Sequence, residues 1–452
     1  MALTPSFDAA VHASRRARVL AALESEGDRV VALLPNAKVF ARNHDVEHPY
    51  RSGSDFAWLT GFDEPDSVAV LRTQGGTYEL FNRPRNPERE QWDGLRAGLD
   101  GAKERFGAAN ARTIDSLDDG LVELLSNSDV VAWPLGRDSG FDAKVLAALA
   151  KVRLKQRLKI DAPTRFLELS CILHAMRWVK DAHEVALMRR AAEITAEGHI
   201  AAMRTAAPGL SEFHLEAALA HAFRRGGSRR DAYEPIVASG PNATILHYRE
   251  NDRSLAAGDL VLIDAGCELD FYASDVTRTF PVSATFTKEQ AAIYELVLAA
   301  QSAAFEMVRP GVTLDDVHNA SLKVIARGLL DIGILQGTVE EVIDKDLHKP
   351  FTVHRTSHWL GMDVHDAGIY YRRGEAVRLE EGCVLTVEPG LYFRPDDTRV
   401  DECWRGIGVR IEDDLRVTAA GYENLTAAIP KERADIEALR SDALASGGAA
   451  AR

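Results

Sequence analysis

Cysteine is scarce in this chain. There are four in 452 residues, Cys171, Cys267, Cys383 and Cys403, and no two of them form a C-x-x-C pair. That spacing argues against a disulfide framework and fits reduced thiols in a cytosol. Cys267 and Cys383 have no adjacent histidine to activate them and read as core thiols. Long apolar runs are missing as well: no eighteen consecutive residues are apolar, and the opening MALTPSFDAAVHASRRARVL holds no uninterrupted apolar stretch. The expectation is a soluble, cytoplasmic protein with no membrane partner. Positive charge is in deficit, with 54 Lys and Arg against 68 Asp and Glu for a net −14, and the basic residues are dispersed. Without a basic stripe to neutralise phosphates, nucleic acid is not an expected partner. Neither G-x-G-x-x-G after a strand nor G-x-x-x-x-G-K-[ST] occurs, so a nucleotide role has no support.

What is present is enough chain for two or three domains. Between residues 28 and 83 lie the short apolar runs VVALL, FAWLTGF, SVAVL and YELFN, separated by polar turns. A helix over 116–125, a strand DVVAW and a helix over 141–152 are expected to follow. The alternation predicts an α/β domain with a mixed sheet over 1–177, away from the chemistry. A second domain is expected over 178–440, and the small-residue end, 441–452, reads as a disordered tail.

The second domain repeats itself. Asp181 with Glu184 makes a capping-box pattern that opens a helix running to about Arg204, before Pro208-Gly209. Ser211 caps a second helix, ended by Gly226-Gly227. The plan returns with Thr287 and Gln290, a stop at Pro310-Gly311, and a cap at Thr313. LAAGDLVLIDAG (255–266) then lies over LEEGCVLTVEPG (379–390) without a gap, and Asp264 falls on Glu388. Two related halves packed about a pseudo-two-fold axis are expected.

The stretch 261–280, VLIDAGCELDFYASDVTRTF, reads as two strands and a turn. With the turn centred on Leu269 and Asp270, antiparallel pairing sets Asp264 opposite Asp275, with Cβ atoms about 4.5–5.5 Å apart. Two buried like charges that close need a cation between them, and a divalent ion is the simplest. The plainer reading makes Asp264 a turn residue and Asp275 a solvated one. GIGVRIEDD offers Glu412 as the second half's counterpart of Asp275, or else a surface ion pair between Arg410 and Glu412. HRTSHWLGMDVHDAG brings His354, His358 and His365 within twelve residues, and His247 sits in ILHYREN. A lone histidine of this kind is more often a satisfied core residue; three beside four carboxylates point to a site. Four carboxylates and an imidazole are hard, oxygen-rich ligands of charge −4, matched by two divalent cations. Two ions roughly 3.5–4 Å apart clamp a hydroxide and polarise a carbonyl, which is hydrolytic chemistry.

These motifs resemble the metallopeptidases of the pita-bread fold, family M24, and within it the aminopeptidase P (Xaa-Pro aminopeptidase) group. HYREN, LIDAGCELDFYASDVTRTFPV, HRTSHWLGMDVHDAG, LTVEPGLYF and GIGVRIEDD stand in the family's order, and RNHDVEHPYRSGSDFAWLTGFDEPDSVAVL resembles its first domain. The resemblance implies a mixed α/β N-terminal domain plus a C-terminal pita-bread domain with an internal pseudo-two-fold repeat. It implies five ligands to two ions, usually manganese (Mn2+): Asp275 and Glu412 bridging both, Asp264 on one, His358 and Glu388 on the other. Glu388 would take a proton from the attacking hydroxide, while His247, His354, His365 and Arg410 would line the substrate site and support the tetrahedral intermediate or the leaving imino nitrogen. The implied partners are peptides beginning Xaa-Pro and further copies of the chain, as a homodimer or homotetramer. His354-Arg355-Thr356 departs from the smaller residues expected at that rim. Prolidase shares the ligands, and Arg410, Arg372 or Arg373 could supply the cation its substrates need. A non-hydrolytic binding module and a metal-free amidine hydrolase are the other rivals.

Overall fold

The computed structural model describes residues 8–446, which divide into two compact units, Met1–Met176 and Arg177–Arg452. In the first, a six-stranded mixed sheet has the order Asn110–Thr113, Thr77–Asn82, Val68–Arg72, Val30–Pro35, Val130–Trp133, Arg165–Glu168. Val30–Pro35 pairs antiparallel with Val68–Arg72 and parallel with Val130–Trp133, and its first five residues, all apolar, are buried. Three of the four short apolar runs are therefore strands. FAWLTGF is instead the helix Ser54–Thr60, because Phe56, Trp58 and Leu59 all bury with no two-residue alternation and Gly61, at φ 67°, closes the helix.

In the second unit the helices Ala182–Thr205 and Glu212–Gly226 pack as a pair, and Lys288–Met307 packs likewise with Leu314–Asp331. Reciprocal capping boxes start them at Asp181/Glu184, Ser211/His214, Thr287/Gln290 and Thr313/Asp316. Each such cap contributes about 1 kcal/mol. Two sheets face these helices: Leu260–Asp264 lies between Ile236–Ser239 and Thr277–Pro281, and Asp413–Thr418 lies between Val384–Val387 and Gly421–Asn424. The corresponding glycines Gly258 and Gly382, at φ 89° and 94°, make the same left-handed turn into Leu260–Asp264 and Val384–Val387, so the sequence repeat is a structural one. The halves are stitched together by the Glu412 N–H, which donates to the Thr277 carbonyl at 3.0 Å, and by Thr279 Oγ1, which donates to the Arg410 carbonyl at 2.9 Å. One continuous apolar core, including Phe223, Val261, Phe280, Tyr294 and Ile411, fills the space between helices and strands.

The tail expected from residue 441 begins as helix: Arg433–Ala445 continues through it because Ile436, Arg440 and Ala443 recur at helical spacing on a buried face. The rest of that expectation, residues 447–452, lies outside the described residues. No helix among the described residues is long and apolar enough to cross a membrane.

Candidate metal centre

Asp264 ends the strand Leu260–Asp264, but it faces Thr277 and not Asp275. The expected direct pairing fails by a turn position. Leu269 pairs with Tyr272, so the turn residues are Asp270 and Phe271, both left-handed at φ 50° and 74°. A two-residue turn of this hand accepts Asp at its first position, and shifting the turn by one residue moves the partner of Asp264 two residues on, from Asp275 to Thr277. Asp275 consequently lies outside the strand and approaches Asp264 diagonally. At Gly266 the crossing is so close that a Cβ would fall 1.7 Å from the Ser274 carbonyl oxygen, so only glycine fits there. The Tyr233 hydroxyl joins the two aspartates, 2.5 Å from Oδ1 of each.

The other half brings its groups to the same place. Segment 356–360 runs beside Val384–Val387: the Thr386 N–H donates to the His358 carbonyl at 3.0 Å and the Glu388 N–H to the Thr356 carbonyl at 2.8 Å. His358 Nε2 then lies 3.4 Å from Asp275 Oδ2 and 3.6 Å from Glu388 Oε1. Glu412, fixed by the Thr277 hydroxyl at 2.7 Å, completes the group. One ligand atom from each of Asp275, His358 and Glu412 lies within 4.8 Å of the others.

Crowding four carboxylates out of water makes them hard to ionise together. Burial, then Asp275 and Glu388, pushes Glu412 well above the usual carboxylate range. Burial also raises Asp264, against the opposing pull of Arg410. Glu388 is pushed up to about 7 by burial, only partly offset by His358 and Arg410. His358 moves up to about 9: burial lowers it, but the hydrogen bond and charge of Asp275 and the charge of Glu388 win.

Arg410, expected at the substrate or paired with Glu412 on the surface, is 3% exposed and already engaged. Its Nη2 donates to Asp264 Oδ2 at 2.5 Å, its Nη1 to the Tyr392 hydroxyl at 2.9 Å and its Nε to Thr277 Oγ1 at 3.0 Å. Arg410 and His358 do not offset the crowding, and Glu412, Asp264 and Glu388 are all held toward their protonated forms by burial first. The donor set suits divalent ions. The oxygens are hard donors, and the His358 Nδ1–H donates to the Trp359 carbonyl at 3.1 Å, which leaves Nε2 free to ligate from the centre's side.

Around this group stand the remaining histidines. His354 Nε2 accepts from the Tyr392 hydroxyl at 2.8 Å while its Nδ1–H donates to the Arg355 carbonyl at 2.8 Å, with Glu388 Oε2 3.5 Å away; burial lowers it to about 4, so it is neutral. The His365 ring meets His358 edge to face, centroids 4.3 Å apart. His247 is exposed; burial, then His358, lowers His365, and His247 adds to the lowering of both His365 and His354. Arg355 pairs with Asp315 at the rim, and Tyr371 donates to the same carboxylate at 2.9 Å. Sequence reasoning missed Tyr233 and Tyr392. Only LYF directly after VEPG, and Tyr233 among the charges of RRDAYEP, could have drawn attention to them.

A group of carboxylates and a histidine that could hold a metal ion, brought together by two repeated halves, is the kind of site a metal-dependent hydrolase needs. Residues 186–419 match the model of metallopeptidase family M24, and residues 12–132 match the N-terminal domain of aminopeptidase P. The chain is 44% identical to the Xaa-Pro aminopeptidase of Escherichia coli K12, covering 90% of this chain and 93% of that one. It is 32% identical to human Xaa-Pro aminopeptidase 3, over 98% and 88%. A structure of aminopeptidase PepP from Pseudomonas aeruginosa superposes with a TM-score of 0.95 at 49% identity, covering 97% and 99%. An Escherichia coli aminopeptidase P variant solved with its substrate superposes at 0.93 and 42%, over 97% and 99%. This chain belongs to metallopeptidase family M24.

Proposed function

We infer that this chain is a metal-dependent Xaa-Pro aminopeptidase, releasing the first residue from peptides with proline second. The observation that carries the reading is the convergence of Asp264, Asp275, Glu388, Glu412 and His358 on one buried spot, in a family M24 chain with an aminopeptidase P N-terminal domain. Asp264 would hold one ion, His358 and Glu388 the other, and Asp275 with Glu412 both; we propose manganese. When bound, the ions supply an activated water and an electrophile for the scissile carbonyl. Glu388 takes the proton from the attacking water. That role suits a carboxyl whose surroundings already favour protonation near neutrality. His365, exposed at the mouth, and His354, whose ring is neutral, steady the substrate as the tetrahedral intermediate forms or the imino nitrogen leaves, with His247 beside them. Arg410 orients Asp264 and, through the Tyr392 hydroxyl, His354.

That employment of Arg410 also weighs against prolidase. A dipeptidase needs a cation for the free carboxylate of proline, and Arg410 is buried with each of its three nitrogens already donating to Thr277, Tyr392 or Asp264. Arg372 and Arg373 lie on an exposed turn. A homo-oligomer is proposed as well: Trp92 and Leu95, each 84% exposed, give the first domain an apolar tip with which to help enclose a neighbouring copy's site. A cytoplasmic location is in keeping with four free cysteines. The test is release of the first residue from Xaa-Pro-Yaa tripeptides and Xaa-Pro dipeptides, with and without Mn2+. Higher kcat/KM on tripeptides, and only with metal, is expected. Good cleavage of dipeptides with tripeptides untouched would replace this reading with prolidase.

A further inference from the structure

The His365 ring makes no hydrogen bond to any described residue, so its place beside His358 is set by the backbone that carries it. That backbone is pinned one residue on. Asp366, its side chain 1% exposed, takes Arg177 Nη2 on Oδ1 at 2.6 Å and Lys180 Nζ on Oδ2 at 2.9 Å; both cations are themselves buried. The Asp366 N–H donates to the Trp359 carbonyl at 2.9 Å, and Asp366 Oδ1 accepts from the Asp363 N–H at 3.3 Å. The Gly361 N–H donates to the Asp363 carbonyl at 3.2 Å, and the Gly361 carbonyl accepts from the Ala273 N–H at 2.8 Å, two residues before Asp275. The loop 361–366 is packed without slack: a Cβ on Gly361 would lie 2.2 Å from Asp366 Oδ2 and 2.8 Å from Lys180 Cε. A buried ion group of this kind adds little stability over an apolar set of equal volume, so fixing geometry is what it contributes.

We propose that Asp366, gripped by Arg177 and Lys180, is a positioning residue that holds His365 in place to meet the substrate. The proposal rests on the aminopeptidase reading and on the part given there to His365. A displacement of about 1 Å at such a group can cost on the order of 100-fold in rate. In the metal-loaded enzyme, Asp366→Asn should lower kcat on an Xaa-Pro-Yaa tripeptide by roughly 10–100-fold, with KM and metal content close to wild type. In a His365→Ala background the same substitution should change kcat by no more than about twofold, because the group it positions is gone. A crystal structure of Asp366→Asn should show the His365 ring displaced from His358. An equal loss in both backgrounds, or a His365 ring unmoved, overturns the proposal. If Asp366→Asn does not fold, Lys180→Met, which keeps the Arg177 pair, goes through the same cycle and the same structure determination, with a smaller loss expected. A wild-type enzyme inactive on Xaa-Pro peptides would refute the functional reading, while the ring's position still decides the anchor.

Discussion

Loading this centre with metal must expel protons, from His358 and Glu388 and also from Glu412, which burial and its neighbours push well above the usual carboxylate range. In the metal-free chain His358 sits at about 9 instead of 6.5, because the hydrogen bond and charge of Asp275 and the charge of Glu388 outweigh its burial, and Glu388 sits at about 7 instead of 4.5. For His358 the difference corresponds to about 3 kcal/mol of preference for the imidazolium. An imidazolium cannot ligate, so at pH 7 nearly every His358 must give up a proton before Nε2 can bind. The sign is fixed: affinity is weakest at low pH, where both groups are protonated, and it rises as pH climbs toward 9. Its rise should be about tenfold per pH unit between 7 and 8 from His358 alone, and steeper below 7, where Glu388 adds its own proton. Isothermal titration of the metal-free enzyme with Mn2+ at pH 7, in buffers of different ionisation enthalpy, reads the proton count directly. At least one proton per loaded site is expected. Heats independent of buffer, together with an affinity flat from pH 6.5 to 8.5, would refute the electrostatic account of the centre.

Three further outcomes follow from the same geometry. Asp275→Asn should reduce turnover to that of chelated enzyme, since it removes the carboxylate to which both Tyr233 and His358 are joined; wild-type turnover, or a chelated enzyme that stays active, contradicts the ligand assignment. Tyr233→Phe takes away the hydroxyl that spans Asp264 and Asp275, and metal affinity should fall about 10–100-fold with the fold intact; a dissociation constant within twofold of wild type sinks the idea. Arg278→Met leaves the fully buried Asp413 short of a partner and frees the backbone carbonyl of Glu412. Urea unfolding should register a loss of about 3–5 kcal/mol, and a loss under about 1 kcal/mol would show the pair is dispensable.

Much of this protein was decided within short stretches of chain. Helices announced themselves because caps and stops are local: Asp181 with Glu184 and Thr287 with Gln290 need only three residues to be recognised, and the Pro-Gly pairs end what they begin. The repeat of 255–266 in 379–390 was equally legible, since the same turn and strand require the same glycine and apolar pattern wherever they occur. The proximity of Asp264 to Asp275 was foreseen, but through the wrong register, because the turn's hand at Asp270 and Phe271 is fixed by backbone angles that composition does not print. FAWLTGF misled for a related reason: a segment buried on every side carries no periodicity to tell helix from strand. What only the tertiary structure decided is the part built from distant residues. Tyr233 reaches two aspartates 31 and 42 positions away, Arg410 is withdrawn from the surface by an Asp264 146 positions before it, and Lys180 meets Asp366 across 186. Such pairings depend on how strands stack and helices cover them, and a side chain's charge or hydroxyl alone does not reveal which distant partner the fold will bring to it.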